Sequence, residues 1–284
     1  QCAAIADAIN PGGDAINPGG DAINPGGDAI NPGGDAINRV STTFPLVLKA
    51  RRHGYDGQGT WIIREAAELQ TKLQHLQGRS LLVEEFVPFE KELAIMVARS
   101  HTGEIVTYPV VETQQVNQIC RRVFVTGFDA TVTQQAEAIA HTLMEKLQVV
   151  GIFGIELFLT PEGKVLVNEI APRTHNSGHF TLDACETSQF EQHLRAVSGL
   201  SLGNPSMCCK GAVMVNLLGY ESSESSYLDQ RHRLAQLPNT FVHWYSKAQS
   251  RLGRKLGHVT TLLDTTSRHK AIEIAEAIEQ IWYP

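Results

Sequence analysis

From Thr43 onward, apolar and polar positions follow two different spacings along the chain. Short runs of β-branched and aromatic residues predict strands, and apolar residues three and four positions apart predict helices. The predicted strands are Phe44–Ala50, Leu81–Val87, Leu93–Arg99, Glu104–Val111, Gly151–Leu159, Val165–Ile170, Ala212–Leu218, Thr240–Tyr245 and His258–Leu263. The predicted helices are residues 64–77, Thr131–Leu147, Gln189–Val197 and Arg268–Ile281. This mixture indicates an α/β (α+β) protein.

The beginning of the chain has a different character. Residues 10–37 are four identical copies of Asn-Pro-Gly-Gly-Asp-Ala-Ile. Proline and two glycines interrupt any helix or strand every seven residues, and each copy offers only one Ile and one Ala for burial. We therefore predict a flexible, low-complexity segment over residues 1–42, with a solenoid of stacked turns as the alternative.

Composition narrows the class of protein. The chain has 284 residues, of which 42% are hydrophobic, and this length favours two packed units. A net charge of −6 without a basic run argues against nucleic acid and anionic membranes as partners. No apolar run has the roughly 18 residues of a membrane span, and the first residues lack the basic start and apolar stretch of a signal peptide. The five cysteines lack C-x-x-C spacing. We therefore expect a cytoplasmic protein with reduced thiols.

The strongest chemical signal is the predicted hairpin over residues 151–170. A two-residue turn at Glu162–Gly163 places Glu156 directly opposite Glu169. Facing carboxylates repel each other, and a divalent cation with hard oxygen ligands removes that cost. A one-residue bulge would instead place Asn168 opposite Glu156. The alternative without function is that both glutamates face water, as polar residues commonly do on an exposed sheet face.

Two further segments suit a phosphorylated ligand. Lys49 ends an apolar strand and is followed by a glycine-rich loop, residues 54–59, in which backbone N–H groups can approach an anion closely. Residues 245–258 gather Lys247, Arg254 and Lys255 between glycines, as in a phosphate clamp. An ordinary turn and a solvated run of surface charge are the respective alternatives.

A polar loop follows the hairpin. It contains Arg173, His175, Asn176, Ser177 and His179, and it could hold a small oxyanion through charge and hydrogen-bond donors. A zinc site built on the two histidines is the less favoured alternative, because no third ligand is evident. The acidic segment, residues 83–92, could contact a nucleoside, although its spacing alone shows only that it is acidic.

Together these motifs resemble the family of 5-(carboxyamino)imidazole ribonucleotide synthases, of the ATP-grasp superfamily. The resemblance extends from about Thr43 to the C-terminus, and Asn-Glu-Ile-Ala-Pro-Arg-Thr-His-Asn-Ser-Gly-His, residues 168–179, is its most specific part. It implies an ATP-grasp fold at residues 43–204 and a small C-terminal α/β subdomain at residues 205–284. It also implies a purine-biosynthetic ligase. ATP phosphorylates bicarbonate to carboxyphosphate, and 5-aminoimidazole ribonucleotide then takes up the carboxyl group.

The resemblance also implies roles for individual residues. The ATP contacts it implies are Lys49, Gly54, Tyr55, Asp56, Gly57, Gln58, Gly59, Thr60, Glu84, Glu85, Phe86, Val87, Glu92, Asn168 and Glu169. The magnesium ligands, with manganese as an alternative ion, are Glu156 and Glu169. The catalytic residues beside bicarbonate are Arg173, His175 and Asn176. The contacts to the acceptor ribonucleotide are Tyr55, Lys247, Arg254 and Lys255. A homodimer is a further implication.

Two departures from the family pattern matter. The family begins with an α/β domain that shares the acceptor site, and here the repeat stands in its place, so we expect poor carboxylation by this chain alone. The family also places a histidine near the nucleotide where Gln114 and Gln115 stand. The rival hypotheses are another ATP-grasp ligase, such as a formate-using purine enzyme or a biotin carboxylase, and an inactive nucleotide-binding remnant.

Overall fold

The computed structural model describes residues 44–52, 59–76 and 79–284. The chain divides into two compact units, Gln1–Pro88 and Phe89–Pro284. The predictions for the repeat and for residues 54–58 lie outside the described residues.

The described part of the first unit is a small antiparallel sheet with one helix. Its strands lie in the order β2-β1-β3. The strands are β1 Leu46–Ala50, β2 Thr60–Ile63 and β3 Leu81–Glu85, and helix α1 spans Ala66–His75. Leu46, Leu48 and Ile63 form the buried core. The predicted strands and helix are confirmed, whereas the four-residue strand β2 was not predicted.

The second unit is built on one nine-stranded sheet. The strand order is β11-β12-β10-β7-β6-β4-β8-β9, and β5 pairs with β4. The strands are β4 Lys91–Arg99, β5 Ile105–Thr107, β6 Val111–Val116, β7 Ile119–Val125, β8 Gly151–Leu159, β9 Val165–Ala171, β10 Gly211–Leu218, β11 Thr240–Trp244 and β12 Lys255–Leu263. The helices are α2 Ala130–Leu147, α3 Thr181–Ala184, α4 Gln189–Ser198, α5 Leu228–Ala235 and α6 Arg268–Trp282.

Strands in the middle of this sheet are buried along almost their whole length. Every residue of β10 is buried, and so are residues 93–98 of β4. Such strands have apolar residues on both faces, which is why their sequences lack strict alternation. Three helices begin where a side chain accepts a backbone N–H: Asp129 caps α2, Ser188 caps α4 and Ser267 caps α6. The β8–β9 hairpin, β10 and α4 each contact the loop between β9 and α3.

The single strand predicted at residues 104–111 is wrong. The turn at residues 101–103 is present, but strand β5 ends at Thr107. The amide N–H of Tyr108 still bonds Met96, whereas Pro109 has no N–H to continue the ladder. The chain then enters a separate strand, β6.

The β6–β7 hairpin was not predicted. Its two-residue turn is Asn117–Gln118, and both residues have positive φ, 52° and 62°. This conformation suits a tight hairpin and is usually signalled by Asn-Gly. Because Gln118 occupies the position where glycine is usual, the sequence did not indicate this turn. The polar helix α5 was also not predicted.

The strands on either side of residue 204 belong to the same sheet, because β7 pairs with β10. The domain boundary expected there remains a prediction. Among the described residues, no helix is long and apolar enough to cross a membrane.

Candidate functional site

The β8–β9 hairpin brings two carboxylates together. Glu156 pairs directly with Glu169, and the register shifts immediately afterwards, which makes Asn168 the extra residue of a bulge. The predicted pairing of Glu156 with Glu169 is confirmed, and the alternative that placed Asn168 opposite Glu156 is wrong. The predicted two-residue turn is also wrong, because five residues, Thr160–Lys164, connect the strands and the bulge at Asn168 restores the facing pair. The Glu156 side chain is 26% exposed, and Glu169 is exposed. These oxygen atoms are ligands of the kind that magnesium prefers.

His175 lies directly against this pair. Its Nε2 is 3.4 Å from Oε1 of Glu156, and its Nδ1 lies 2.8 Å from the Ser177 hydroxyl. The side chain packs over Gly154 of β8, where any Cβ would collide with the His175 side chain. The glycine in Gly-Ile-Glu therefore makes room for the histidine beside the carboxylate.

Asn176 is held from the other side by β10. The two amides of Asn176 and Asn216 each donate to the other's oxygen, at 2.9 and 2.7 Å. Asn216 is fully buried and also donates to the carbonyl of Cys120. Arg173 is exposed, and its guanidinium donates to the Thr174 carbonyl at 3.0 Å. The loop thus fixes Asn176 firmly and presents Arg173 to solvent.

His179, near the end of this loop, packs against the buried His258, which stacks on the half-buried His243. Nδ1 of His258 lies 2.8 Å from the Tyr245 hydroxyl, and His243 contacts the Asp183 carboxylate at 2.9 Å. Burial lowers the pKa of His179 to about 4 and the pKa of His258 to about 2. Neighbouring histidines add to both shifts, and Lys255 and Arg173 add to that of His179. Both rings are therefore neutral at physiological pH.

This cluster is poorly arranged for a metal ion, although ligand atoms of Asp183, His243 and His258 lie within 4.8 Å of one another. The rings of His243 and His258 stack with centroids 4.5 Å apart and planes 17° apart. A ligating nitrogen points in the plane of its ring, so nearly parallel rings cannot aim at one ion. The zinc alternative for His175 and His179 is also unsupported, because among the described residues neither histidine belongs to a group of three converging ligand atoms.

The basic loop between β11 and β12 is held together by its own cations. Lys247 donates to the carbonyl of Lys255 at 2.6 Å, and Arg254 donates to the carbonyl of Gln249 at 2.7 Å. The Lys247 ammonium also lies 5.5 Å from the centroid of the Tyr245 ring. Two of the cations predicted for the acceptor phosphate, Lys247 and Arg254, therefore lie in this loop, and the third, Lys255, begins β12.

In the first unit, Lys49 forms an ion pair with Glu84 at 2.7 Å across β1 and β3. The amide N–H of Ala50 bonds the Gly59 carbonyl, and Thr60 pairs with Lys49. Glu85 ends β3 and is exposed, and Phe86 and Val87 follow it half-buried. Two residues predicted to contact ATP, Lys49 and Glu84, are thus in direct contact with each other.

Glu92 lines a cavity of about 580 Å³ in the second unit, together with Gln114 and Gln115. Burial raises the pKa of Glu92 to about 7. The Gln114 amide reaches Glu112 at 3.3 Å, and the same carboxylate is bound by Arg268. The glutamines standing where the family has a histidine therefore line the cavity that contains Glu92.

The chain's similarity to known proteins agrees with this geometry. Residues 34–190 match the ATP-grasp domain family, and residues 212–272 match the phosphoribosylaminoimidazole carboxylase C-terminal domain. The chain therefore belongs to the ATP-grasp family. Within it, the resemblance to the 5-(carboxyamino)imidazole ribonucleotide synthases is confirmed. Over 244 residues the chain is 52% identical to the N5-carboxyaminoimidazole ribonucleotide synthase of Synechococcus elongatus, which covers 84% of this chain and 62% of that protein.

Comparison with solved structures shows similarity to the same family of synthases. The N5-carboxyaminoimidazole ribonucleotide synthetase of Thermotoga maritima is 41% identical with a TM-score of 0.72, covering 84% of this chain and 62% of that one. The Aspergillus clavatus synthase in complex with ADP and 5-aminoimidazole ribonucleotide is 29% identical with a TM-score of 0.76, covering 86% of this chain and 63% of that one. The chain thus spans slightly less than two thirds of these relatives, and its fold is the ATP-grasp fold.

Proposed function

We propose that this chain carries out the ATP-dependent carboxylation of 5-aminoimidazole ribonucleotide by bicarbonate, through carboxyphosphate, in purine biosynthesis. One observation carries the proposal: Glu156 faces Glu169 on one side and the His175 ring on the other. A carboxylate pair suited to a metal–nucleotide complex therefore adjoins a loop suited to a small oxyanion. Phosphoryl transfer to bicarbonate requires these two features side by side.

The carboxylate pair fits magnesium. Glu156, Glu169 and Asn168 supply only oxygen ligands in one bulged segment of sheet, and they are the residues that would hold the ion, with manganese as the alternative. Bound there, the ion would neutralise phosphate charge during transfer. The ATP contacts that we propose in the first unit are Lys49, Gly54–Thr60 and Glu84–Val87. In the second unit we propose Glu92, Asn168 and Glu169.

The proposed reaction has two steps. A bicarbonate oxygen attacks the γ-phosphorus of ATP and displaces ADP, which gives carboxyphosphate. The acceptor amine then attacks the carboxyl carbon, releases phosphate and loses a proton. Arg173 would balance the charge of the oxyanion, and His175 and Asn176 would orient it through hydrogen bonds. Tyr55, Lys247, Arg254 and Lys255 would hold the phosphate of the ribonucleotide.

The experiment supplies ATP, magnesium, ¹³C-bicarbonate and a panel of acceptor amines, and follows carbamate formation by NMR. Because the relatives are longer, the assay uses the chain alone and the chain fused behind the N-terminal domain of a relative. We expect ¹³C incorporation only with 5-aminoimidazole ribonucleotide, and faster in the fusion. Incorporation into a different amine would identify another ligase, and nucleotide binding without incorporation in either form would indicate a nucleotide-binding protein without this activity.

Two further proposals are a cytoplasmic location, which rests on the sequence composition, and a homodimer, which rests on the resemblance. Cys185, Cys208 and Cys209 are free thiols, which suits a reducing compartment. Sedimentation at micromolar concentration would test the dimer.

A further inference from the structure

Gln189, the first residue of α4, makes three hydrogen bonds to the loop that contains the proposed catalytic residues. Its Oε1 accepts from the backbone N–H of His175 at 2.9 Å. Its Nε2 donates to the His175 carbonyl at 2.8 Å and to Nδ1 of His179 at 2.9 Å. The side chain is fully buried, and these bonds use both amide hydrogens. Gln189 therefore binds both backbone groups of His175 at once.

These three hydrogen bonds, the Gln189 clamp, restrict the position of the His175 ring. The ring is confined by the Ser177 hydroxyl at Nδ1 and by Gly154 beneath its side chain. With the backbone of His175 also fixed, Nε2 is held 3.4 Å from Glu156. Gly178 packs so closely on Gln189 that a Cβ there would collide with Oε1 of the glutamine. Gln189 is thus closely packed against the loop as well as hydrogen-bonded to it.

The same helix contains a second, equivalent clamp at a different place. Gln192 is also fully buried. Its Nε2 donates to the Gly203 carbonyl and its Oε1 accepts from the Gly203 N–H, both at 2.7 Å. Gly203 belongs to the segment between α4 and β10 and is not among the proposed site residues. Two buried glutamines three positions apart therefore use the same bonding pattern, and only Gln189 uses it on the catalytic loop.

We infer that Gln189 is a positioning residue for the proposed reaction. It fixes the position of His175 relative to Glu156. The hydrogen-bonding groups of the loop can then bind bicarbonate next to the γ-phosphate of ATP. This inference rests on the proposed function. Catalysis by orientation is sensitive to displacements of about 1 Å, so loss of the clamp affects turnover far more than nucleotide binding.

The test compares Gln189→Met with Gln192→Met in the full chain. Methionine keeps the volume of the side chain and removes all its hydrogen bonds. Three quantities are measured for both variants: the midpoint of thermal unfolding, the affinity for Mg-ADP by calorimetry, and bicarbonate-dependent phosphate release from ATP. Gln189→Glu is a further variant that keeps the bond accepted from the His175 N–H and loses the two donated bonds, in case methionine at position 189 prevents folding.

We expect both methionine variants to unfold at similar, lowered temperatures and to bind Mg-ADP like the wild type. Gln189→Met should lose about tenfold to a hundredfold in kcat for bicarbonate-dependent release, whereas Gln192→Met should change it less than about twofold. Gln189→Glu should fall between the wild type and Gln189→Met. Equal losses in Gln189→Met and Gln192→Met, or unchanged release in both Gln189 variants, would overturn the inference.

A second measurement separates this inference from the proposed function. If the wild type shows no bicarbonate-dependent release, the proposed function fails, and ¹⁵N chemical shifts of the histidine rings then decide the inference. Gln189 donates to Nδ1 of His179, which places the ring proton of that neutral histidine on Nε2. The ring signals of His175 and His179 should shift in Gln189→Met and stay unchanged in Gln192→Met. Unchanged signals in both variants would refute the positioning role.

Discussion

At the scale of the residue, Glu156 has two unlike neighbours. Glu169 faces it across the strand pair, and the His175 ring approaches the same carboxylate at 3.4 Å. The repulsion between the two acids favours a cation, whereas the histidine offers a hydrogen-bonding group on the loop side. Because Glu169 is exposed and Glu156 is half-buried, substituting either one should weaken metal binding more than it lowers the stability of the fold.

The first prediction concerns Glu169→Gln. The substitution keeps the size of the side chain and removes its charge, so magnesium-dependent binding of ADP should weaken at least tenfold, as expected for loss of a charged ligand. The unfolding temperature should change little. Calorimetry with and without magnesium measures the effect. Glu162→Gln, at the exposed turn of the same hairpin, is the control and should bind like the wild type. Equal binding by Glu169→Gln and the wild type would refute the metal pair.

The second prediction concerns the pH dependence of stability at Glu92. Burial raises its pKa from 4.5 to about 7, so the folded state keeps a proton that the unfolded state releases between these values. Stability should therefore fall as the pH rises from 4.5 to 7. Glu92→Gln should remove this fall and be more stable than the wild type at pH 8 by about 1–3 kcal/mol.

Urea unfolding of the ligand-free protein at pH 5 and pH 8 measures this difference. Glu90→Gln, an exposed glutamate at the same cavity, is the matched control and should keep the slope of the wild type. Parallel pH profiles for Glu92→Gln and the wild type would show that Glu92 has the same pKa in the folded and unfolded states, and would contradict the prediction.

At the scale of the element, the sequence predicts some parts of the fold better than others. The β8–β9 hairpin was predicted to within one residue, because long apolar runs flank a turn with Gly163 at φ 79°. The β6–β7 hairpin was not predicted, because Gln118 occupies a position where glycine would have signalled the turn. A turn can be predicted from the sequence only where the residues that usually form it are present, as at Gly163 but not at Gln118.

The third prediction tests the basic loop between β11 and β12. If Arg254 binds the phosphate of the acceptor, Arg254→Ala should raise the KM for 5-aminoimidazole ribonucleotide about tenfold to a hundredfold. This is the loss of affinity expected when one charge-assisted hydrogen bond is removed. The KM for ATP should stay nearly unchanged. Arg251→Ala, an exposed arginine of the same loop, should leave both values as they are. A similar rise for both substrates in Arg254→Ala would indicate that the loop had lost its structure instead.

At the scale of the whole molecule, the residues with proposed chemical roles were easier to predict than those that support them. Glu156, Glu169 and the loop at residues 173–179 lie in short motifs with recognisable chemistry. Gln189 and Asn216 were not predicted, because their partners lie 14 and 40 positions away in the chain. A buried glutamine or asparagine has no local signal for its role. Only the packing of α4 and β10 against the loop shows what these amides hold.

The central claim is that this chain transfers the γ-phosphate of ATP to bicarbonate, and oxygen labelling tests it most directly. The wild-type chain receives ATP, magnesium and ¹⁸O-bicarbonate in unlabelled water, and the released phosphate is analysed by mass spectrometry before the label exchanges. Attack by a bicarbonate oxygen leaves that oxygen on phosphorus when carboxyphosphate breaks down. We predict one ¹⁸O atom per phosphate released, and much slower release of labelled phosphate by Glu169→Gln. Phosphate that carries no ¹⁸O would show that water is the acceptor and would contradict the claim.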